Sequence, residues 1–152
     1  MDFAGKIIAA TEEIFSTMIF IDLTAGEPLS EGKTELGCHV SAMIGLSGDL
    51  NAMLGIHCPA QVGMAIGGAM LGMDLKAIDD DTKDALGEIA NMLAGGLKEA
   101  CAAEDTNLLL AIPTTVSGNS YKISAPTGSN RLLLPFDIDA GRFYIDLKYS
   151  TA

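Results

Sequence analysis

From Leu50 to Met73 the chain carries no formally charged residue, and the run is long enough to span a bilayer. A segment of this kind either crosses a membrane or lies inside a globular core, so it constrains the fold more than any other feature. Asn51, His57, Pro59, Gln61 and five glycines dilute its hydrophobicity. Pro59, which has no N–H to give, splits it into a strand followed by a helix. The strand half belongs to a hairpin: apolar runs at 39–46 and 51–57 flank Ser47-Gly48-Asp49, which has the chemistry of a turn. Pro59 suits the first turn of a helix running to about residue 73. Glycines 63, 67, 68 and 72 cost that helix about 1 kcal/mol each, but allow another element to pack close. Met64, Met70 and Met73 read as core fillers.

The flanking patterns build one domain around this hairpin and helix. Over residues 3–18, Ile7, Ile8, Thr11, Ile14, Phe15 and Met18 recur at helical spacing, with Glu12 and Glu13 outward. Residues 19–23 read as a short strand and 24–33 as a loop. A second long helix is predicted over 82–103, and the Asp79-Asp80-Asp81 run before it favours a helix N-terminus through capping and the dipole. The last third is strand-rich, at 107–116, 121–125, 131–138 and 143–150, with Asp139-Ala140-Gly141 closing a terminal hairpin. Helices early and paired strands late indicate α+β. Two long helices and a shorter one should cover one face of a mainly antiparallel sheet, in a single domain spanning 1–152.

Composition narrows the function classes. With 49% hydrophobic and 19% charged residues the chain is globular, and its net charge of −11 repels nucleic acid and anionic membrane alike. A partner with a basic surface suits it better. Cys38, Cys58 and Cys101 are odd in number, far apart and without C-x-x-C spacing, so neither a disulfide framework nor a zinc site is supported. Reduced thiols and an N-terminus without the pattern of a secretory signal lead to a cytoplasmic expectation.

The segment richest in chemistry is the second long helix. At about 100° per residue, Asp84, Glu88, Asn91 and Gly95 fall within an arc of about 60°, whereas Leu86, Ile89, Leu93, Leu97 and Ala100 cluster opposite. The polar stripe therefore faces away from the core. An exposed Glu and Asn are ordinarily only a solvated face. Gly95, however, removes bulk beside Asn91, and the helix tolerates Gly95-Gly96 at a cost in propensity; both are consistent with close approach by another protein.

Asp84-x3-Glu88-x2-Asn91, with 21 residues before Pro113, resembles the signature of the CheC/CheX family of chemotaxis phosphatases. Ile44-Gly-Leu-Ser-Gly48-Asp and Gly87-Glu-Ile-Ala-Asn-Met-Leu-Ala-Gly95 resemble its CheX branch, so the similarity extends over most of the chain. The resemblance implies a CheC/CheX-like fold and removal of the aspartyl phosphate from a CheY-like response regulator. Asn91 would orient the attacking water, and Glu88 would pair with a regulator lysine. Asp84 and Gly95 would support docking. It implies no cofactor or metal of the chain's own, since magnesium would sit in the partner's phosphorylation site. It also implies a homodimer through sheet edges, with residues 143–149 as the pairing strand.

Glu13-Ile14-Phe15-Ser16 echoes Glu88-Ile89-Ala90-Asn91, either as a decayed second copy or as a coincidence of two residues. Its Ser16 hydroxyl is too short to do the work of an amide, so one active face is expected. His39 and His57 lack a second ligand at suggestive spacing and read as satisfied structural histidines. The alternative to a phosphatase is a non-catalytic response-regulator-binding or scaffold module of the flagellar switch kind, and a self-assembly domain is a third reading.

Overall fold

The computed structural model describes residues 1–29, 36–123 and 130–151. In chain order these form α1 (Phe3–Ile14), which runs on into a π-helical turn (Phe15–Ile19), then β1 (Thr24–Ala25), β2 (Leu36–Gly48), β3 (Leu50–Cys58), α2 (Ala60–Leu71), α3 (Asp80–Ala102), β4 (Leu108–Leu110), β5 (Thr114–Ile123), β6 (Asn130–Ile138) and β7 (Gly141–Thr151). The strands make one sheet in the order β1-β6-β7-β3-β2-β4, with β5 also on β2, and every described pairing is antiparallel.

Strand alternation decides where the core lies. Val40, Ala42 and Ile44 of β2, Leu54 and Ile56 of β3, and Phe143, Ile145 and Leu147 of β7 face the helices and are buried. Onto them pack Ile7 and Ile14 of α1, Val62 and Ile66 of α2, and Leu86, Ile89, Leu93 and Leu97 of α3. Phe15, Phe143 and Phe136 stack in series, with ring centroids 5.6 and 5.4 Å apart. This is the expected α+β architecture of three helices on an antiparallel sheet. The uncharged run is its hairpin strand and short helix: Pro59 caps α2 in extended conformation. No described helix is long and apolar enough to cross a membrane. The glycines of α2 allow the close packing expected of them, since a Cβ on Gly63 would stand 2.5 Å from Val40 Cγ1.

Several expectations need correction. Residues 19–23 do not form a strand. The first helix instead widens into the π-turn and stops at Phe20, a left-handed residue with φ 60°, so the short strand falls later, at Thr24–Ala25, in the predicted loop. The rest of that loop from residue 30 lies outside the described residues. The predicted strand 107–116 is broken in two, because after Ala111 the chain leaves β2 at Ile112-Pro113 and Pro113 has no donor to offer the ladder. The second piece runs on to Ile123, through the gap expected before residue 121, by way of an irregularity opposite Cys38/Val40. Residues 124 and 125 of the strand predicted there lie outside the described residues. Met73 is 53% exposed rather than core. The strand 143–149 is not an edge: β7 is hydrogen-bonded to β3 on one side and β6 on the other, so it is not open to pairing with a second copy.

Candidate functional site

The 23 residues of α3 make it the longest of the three helices, and its start is fixed by Asp79, whose Oδ1 accepts from the Thr82 N–H at 3.2 Å. Asp80 and Asp81 occupy the first turn, where the helix dipole favours negative charge. The apolar stripe Leu86, Ile89, Leu93 and Leu97 is buried, which sets the rotation of the whole helix. Asp84, Glu88 and Asn91 consequently stand exposed on the outer face, and Gly95 beside them is partly exposed. No hydrogen bond or ion pair to another described residue engages the side chain of Glu88 or Asn91. A Cβ added to Gly95 would meet nothing within 4 Å, so the smallness of that residue serves no packing need within the chain.

The sheet edge supplies the opposite wall. Gly87 lies on the underside of α3, where a Cβ would stand 3.3 Å from Thr115 Cγ2, and this places the helix close against β5. Between helix and edge runs an open groove of about 470 Å³, lined by Asp84, Glu88 and Asn91 on one side and by Ala111, Ile112 and Pro113 on the other. Sequence reasoning read Pro113 as structural and missed Ile112 altogether. In the sequence Ile112 only continues the apolar run from Leu108, and the fold alone shows that it faces the carboxylate–carboxamide pair.

A second polar constellation lies on the sheet face turned away from the helices. His57 Nε2 is 2.8 Å from Asp146 Oδ1, and His57 Nδ1 is 2.8 Å from Ser41 Oγ, which also accepts from the Tyr121 hydroxyl at 2.8 Å. Because the carboxylate only accepts, Nε2 carries the proton. Ser41 is the direct cross-strand partner of His57, while Asp146 stands opposite Gly55 and is reached diagonally. A Cβ on Gly55 would come within 2.6 Å of His57 Nε2 and 2.8 Å of Asp146 Oδ1, so the bond exists only because that position is glycine. Burial is the largest single influence and disfavours the imidazolium, but Asp146 and Cys38 together outweigh it and hold the His57 pKa above the ordinary value. Arg131 Nε lies 3.4 Å from the other Asp146 oxygen.

These groups stand in the order of a Ser-His-Asp relay, but Ser41 is 0% and His57 1% exposed, so no substrate reaches the hydroxyl. His57 is thus the satisfied structural histidine expected, its carboxylate brought from far along the chain by the sheet. His39 is not: its Nδ1 is buried without a hydrogen-bond partner among the described residues. Nor, among those residues, do three or more His, Cys, Asp or Glu gather closely enough to hold a metal ion. The echo residues Glu13, on α1, and Ser16, in the π-turn, are exposed, but the Ser16 hydroxyl donates to the Glu13 carbonyl.

Comparisons with known proteins identify the family and the fold. The family model described as chemotaxis phosphatase CheX matches residues 40–137, which include most of β2, all of β3, α2 and α3, and the broken edge. The CheY-P phosphatase CheX of Thermotoga maritima is 25% identical over 122 residues, covering 80% of this chain and 79% of its own. The crystal structure of the chemotaxis protein CheX from Desulfovibrio desulfuricans superposes with a TM-score of 0.90 at 30% identity, over 99% of this chain and 100% of that one. In fold, the chain also matches CheX in the CheX–CheY–BeF3–Mg2+ complex from Borrelia burgdorferi, with a TM-score of 0.78 at 22% identity and 97% of each chain covered. With a family match across well over half of its length, this chain belongs to the CheX family of chemotaxis phosphatases.

Proposed function

We infer that this chain is a response-regulator phosphatase, hydrolysing the aspartyl phosphate of a CheY-type receiver domain. The observation that carries the reading is the unpartnered Glu88 and Asn91, displayed together on an exposed groove by a helix whose apolar face is locked into the core. A phosphatase acting on a protein needs just such a protruding pair, since the scissile bond lies inside the partner.

In the reaction a water oxygen bonds to phosphorus in line with the breaking P–O bond, and the aspartyl carboxylate departs with the electron pair. An acyl phosphate is already activated, so positioning supplies most of the acceleration. The Asn91 carboxamide accepts a hydrogen bond from the water and sets its direction, and being neutral it adds no repulsion against the phosphoryl oxygens. Glu88 pairs with a lysine of the partner. Asp84 adds negative charge one turn earlier, and Gly95 leaves room for the partner to close. Magnesium belongs to the partner's site in this reading; the Borrelia burgdorferi assembly contains CheX, CheY, BeF3 and Mg2+ together. We place the reaction in the cytoplasm, in keeping with three cysteines of which none forms a disulfide. A homodimer through a sheet edge would have to use β1 or the β4–β5 edge, since β7 is internal.

The test is phosphate loss from phosphorylated receiver domains with and without the protein. Acceleration by wild type, abolished in Asn91→Ala with receiver binding retained, is the expected result. Tight binding with no acceleration would instead mark a scaffold of the flagellar switch kind.

A further inference from the structure

The groove holding Glu88 and Asn91 has an apolar wall that phosphoryl chemistry does not use. Ile112 leaves 87% of its surface exposed, more than any other large apolar residue among those described. A lone exposed isoleucine is ordinary on a protein surface, but this one is held in place from both ends. Before it, the Ala111 N–H donates to the Gly45 carbonyl at 2.9 Å; after it, Pro113 has its φ fixed by its ring and β5 resumes at Thr114, in register with Met43. Close packing of α3 on Thr115 at Gly87 ties the resumed strand to the helix that carries the polar pair. The break in the edge strand thus presents one apolar side chain at a fixed height across the groove from Glu88 and Asn91.

We propose that Ile112 is the apolar anchor by which this phosphatase engages its receiver domain, seating in an apolar recess beside the partner's phosphorylation site. The proposal rests on the phosphatase reading above. A receiver that brings its phosphoryl group to Asn91 presses on both walls of one groove, so Ile112 is covered in the complex. Interfaces of this kind place a few well-seated apolar side chains beside polar groups whose interactions need water excluded. Specificity follows, because phosphorylation sites share their charged groups and recognition by Glu88 alone would not separate one receiver from another, whereas the shape of an apolar recess does.

The experiment is steady-state dephosphorylation of the receiver domain that wild type acts on fastest, by wild type, Ile112→Ala, Ile112→Glu and Leu109→Ala. Leu109 is 64% exposed on the same edge but does not line the groove, so it serves as the control. Ile112→Ala is expected to raise KM about tenfold with kcat unchanged, Ile112→Glu to raise it further, and Leu109→Ala to match wild type. Thermal unfolding of Ile112→Ala should coincide with wild type, since the side chain packs on little of its own chain. A KM for Ile112→Ala equal to that of wild type, or equal losses in Ile112→Ala and Leu109→Ala, overturns the anchor while leaving the phosphatase reading intact. Absence of any acceleration by wild type defeats that reading and the anchor with it.

Discussion

Two polar constellations divide this molecule between them. On the outer sheet face, Ser41, His57 and Asp146 form an ordered chain of short hydrogen bonds, closed to solvent and completed by Tyr121. On α3, the side chains of Glu88 and Asn91 make no hydrogen bond or ion pair to another described residue. By residue type alone the first set looks the more reactive, with the members of a nucleophilic relay in order. Access reverses that ranking, for a buried hydrogen-bonded network holds strands together, while exposed groups without partners are available to another molecule. The functional signal lies in what the side chains are free to do.

This contrast predicts that damage to the sheet network is read in stability and damage to the helix face in activity. The largest stability effect is expected for Gly55→Ala, whose Cβ would occupy the space of the His57–Asp146 bond. A loss of about 3 kcal/mol, the usual scale for breaking a buried ionic pair, should appear in chemical denaturation, with normal activity per folded molecule. A catalytic defect in the folded fraction would mean that the two regions are coupled.

Reversal of charge in Glu88→Lys belongs to the other class. It should raise KM about tenfold and invert the dependence of KM on ionic strength, with unfolding unchanged, because the lost contact is between partners. A fall in kcat alone would move Glu88 from docking into chemistry.

A smaller effect follows from the raised proton affinity of His57. A group that binds its proton more tightly in the folded state stabilises fully below its unfolded value of 6.5 and loses that contribution as pH rises through its higher folded value. The stability difference between wild type and His57→Gln should therefore narrow as pH rises above 6.5. A difference that widens would show that His57 is held neutral.

Gly95→Ala is expected to have the least effect on the fold, with a gain of up to about 1 kcal/mol from helix propensity, since its face is open within the chain. Any loss of activity in so benign a variant then measures crowding against the partner.

The helix face was legible in the sequence because one 3.6-residue period fixed Leu86, Ile89, Leu93 and Leu97 inward and, with them, Glu88 and Asn91 outward. The hairpin and α2 were equally readable, from Ser47-Gly48-Asp49 and Pro59. What local patterns could not show was pairing over long distances. Residues 143–149 alternate as any half-buried strand does, yet whether that strand sits at an edge depends on where β3 and β6 lie, and both flank it. Asp146 reaches His57 across strands far apart in sequence, and only the register places Gly55 where the ring has room. The break at Ala111-Ile112-Pro113 was hidden for a related reason. Its apolar residues continue the strand pattern, while the proline that interrupts the ladder sits two positions after Ala111, the last residue of the segment to bond to β2.

The most direct test of the account compares phosphate loss from one phosphorylated receiver domain alone, with wild type and with Asn91→Ala, while receiver binding is measured in parallel. Acceleration by wild type that drops by about 100-fold or more in Asn91→Ala, at undiminished affinity, is the result expected of a residue that only aims a water. Equal acceleration by both proteins would contradict it and take the chemistry away from this face of α3.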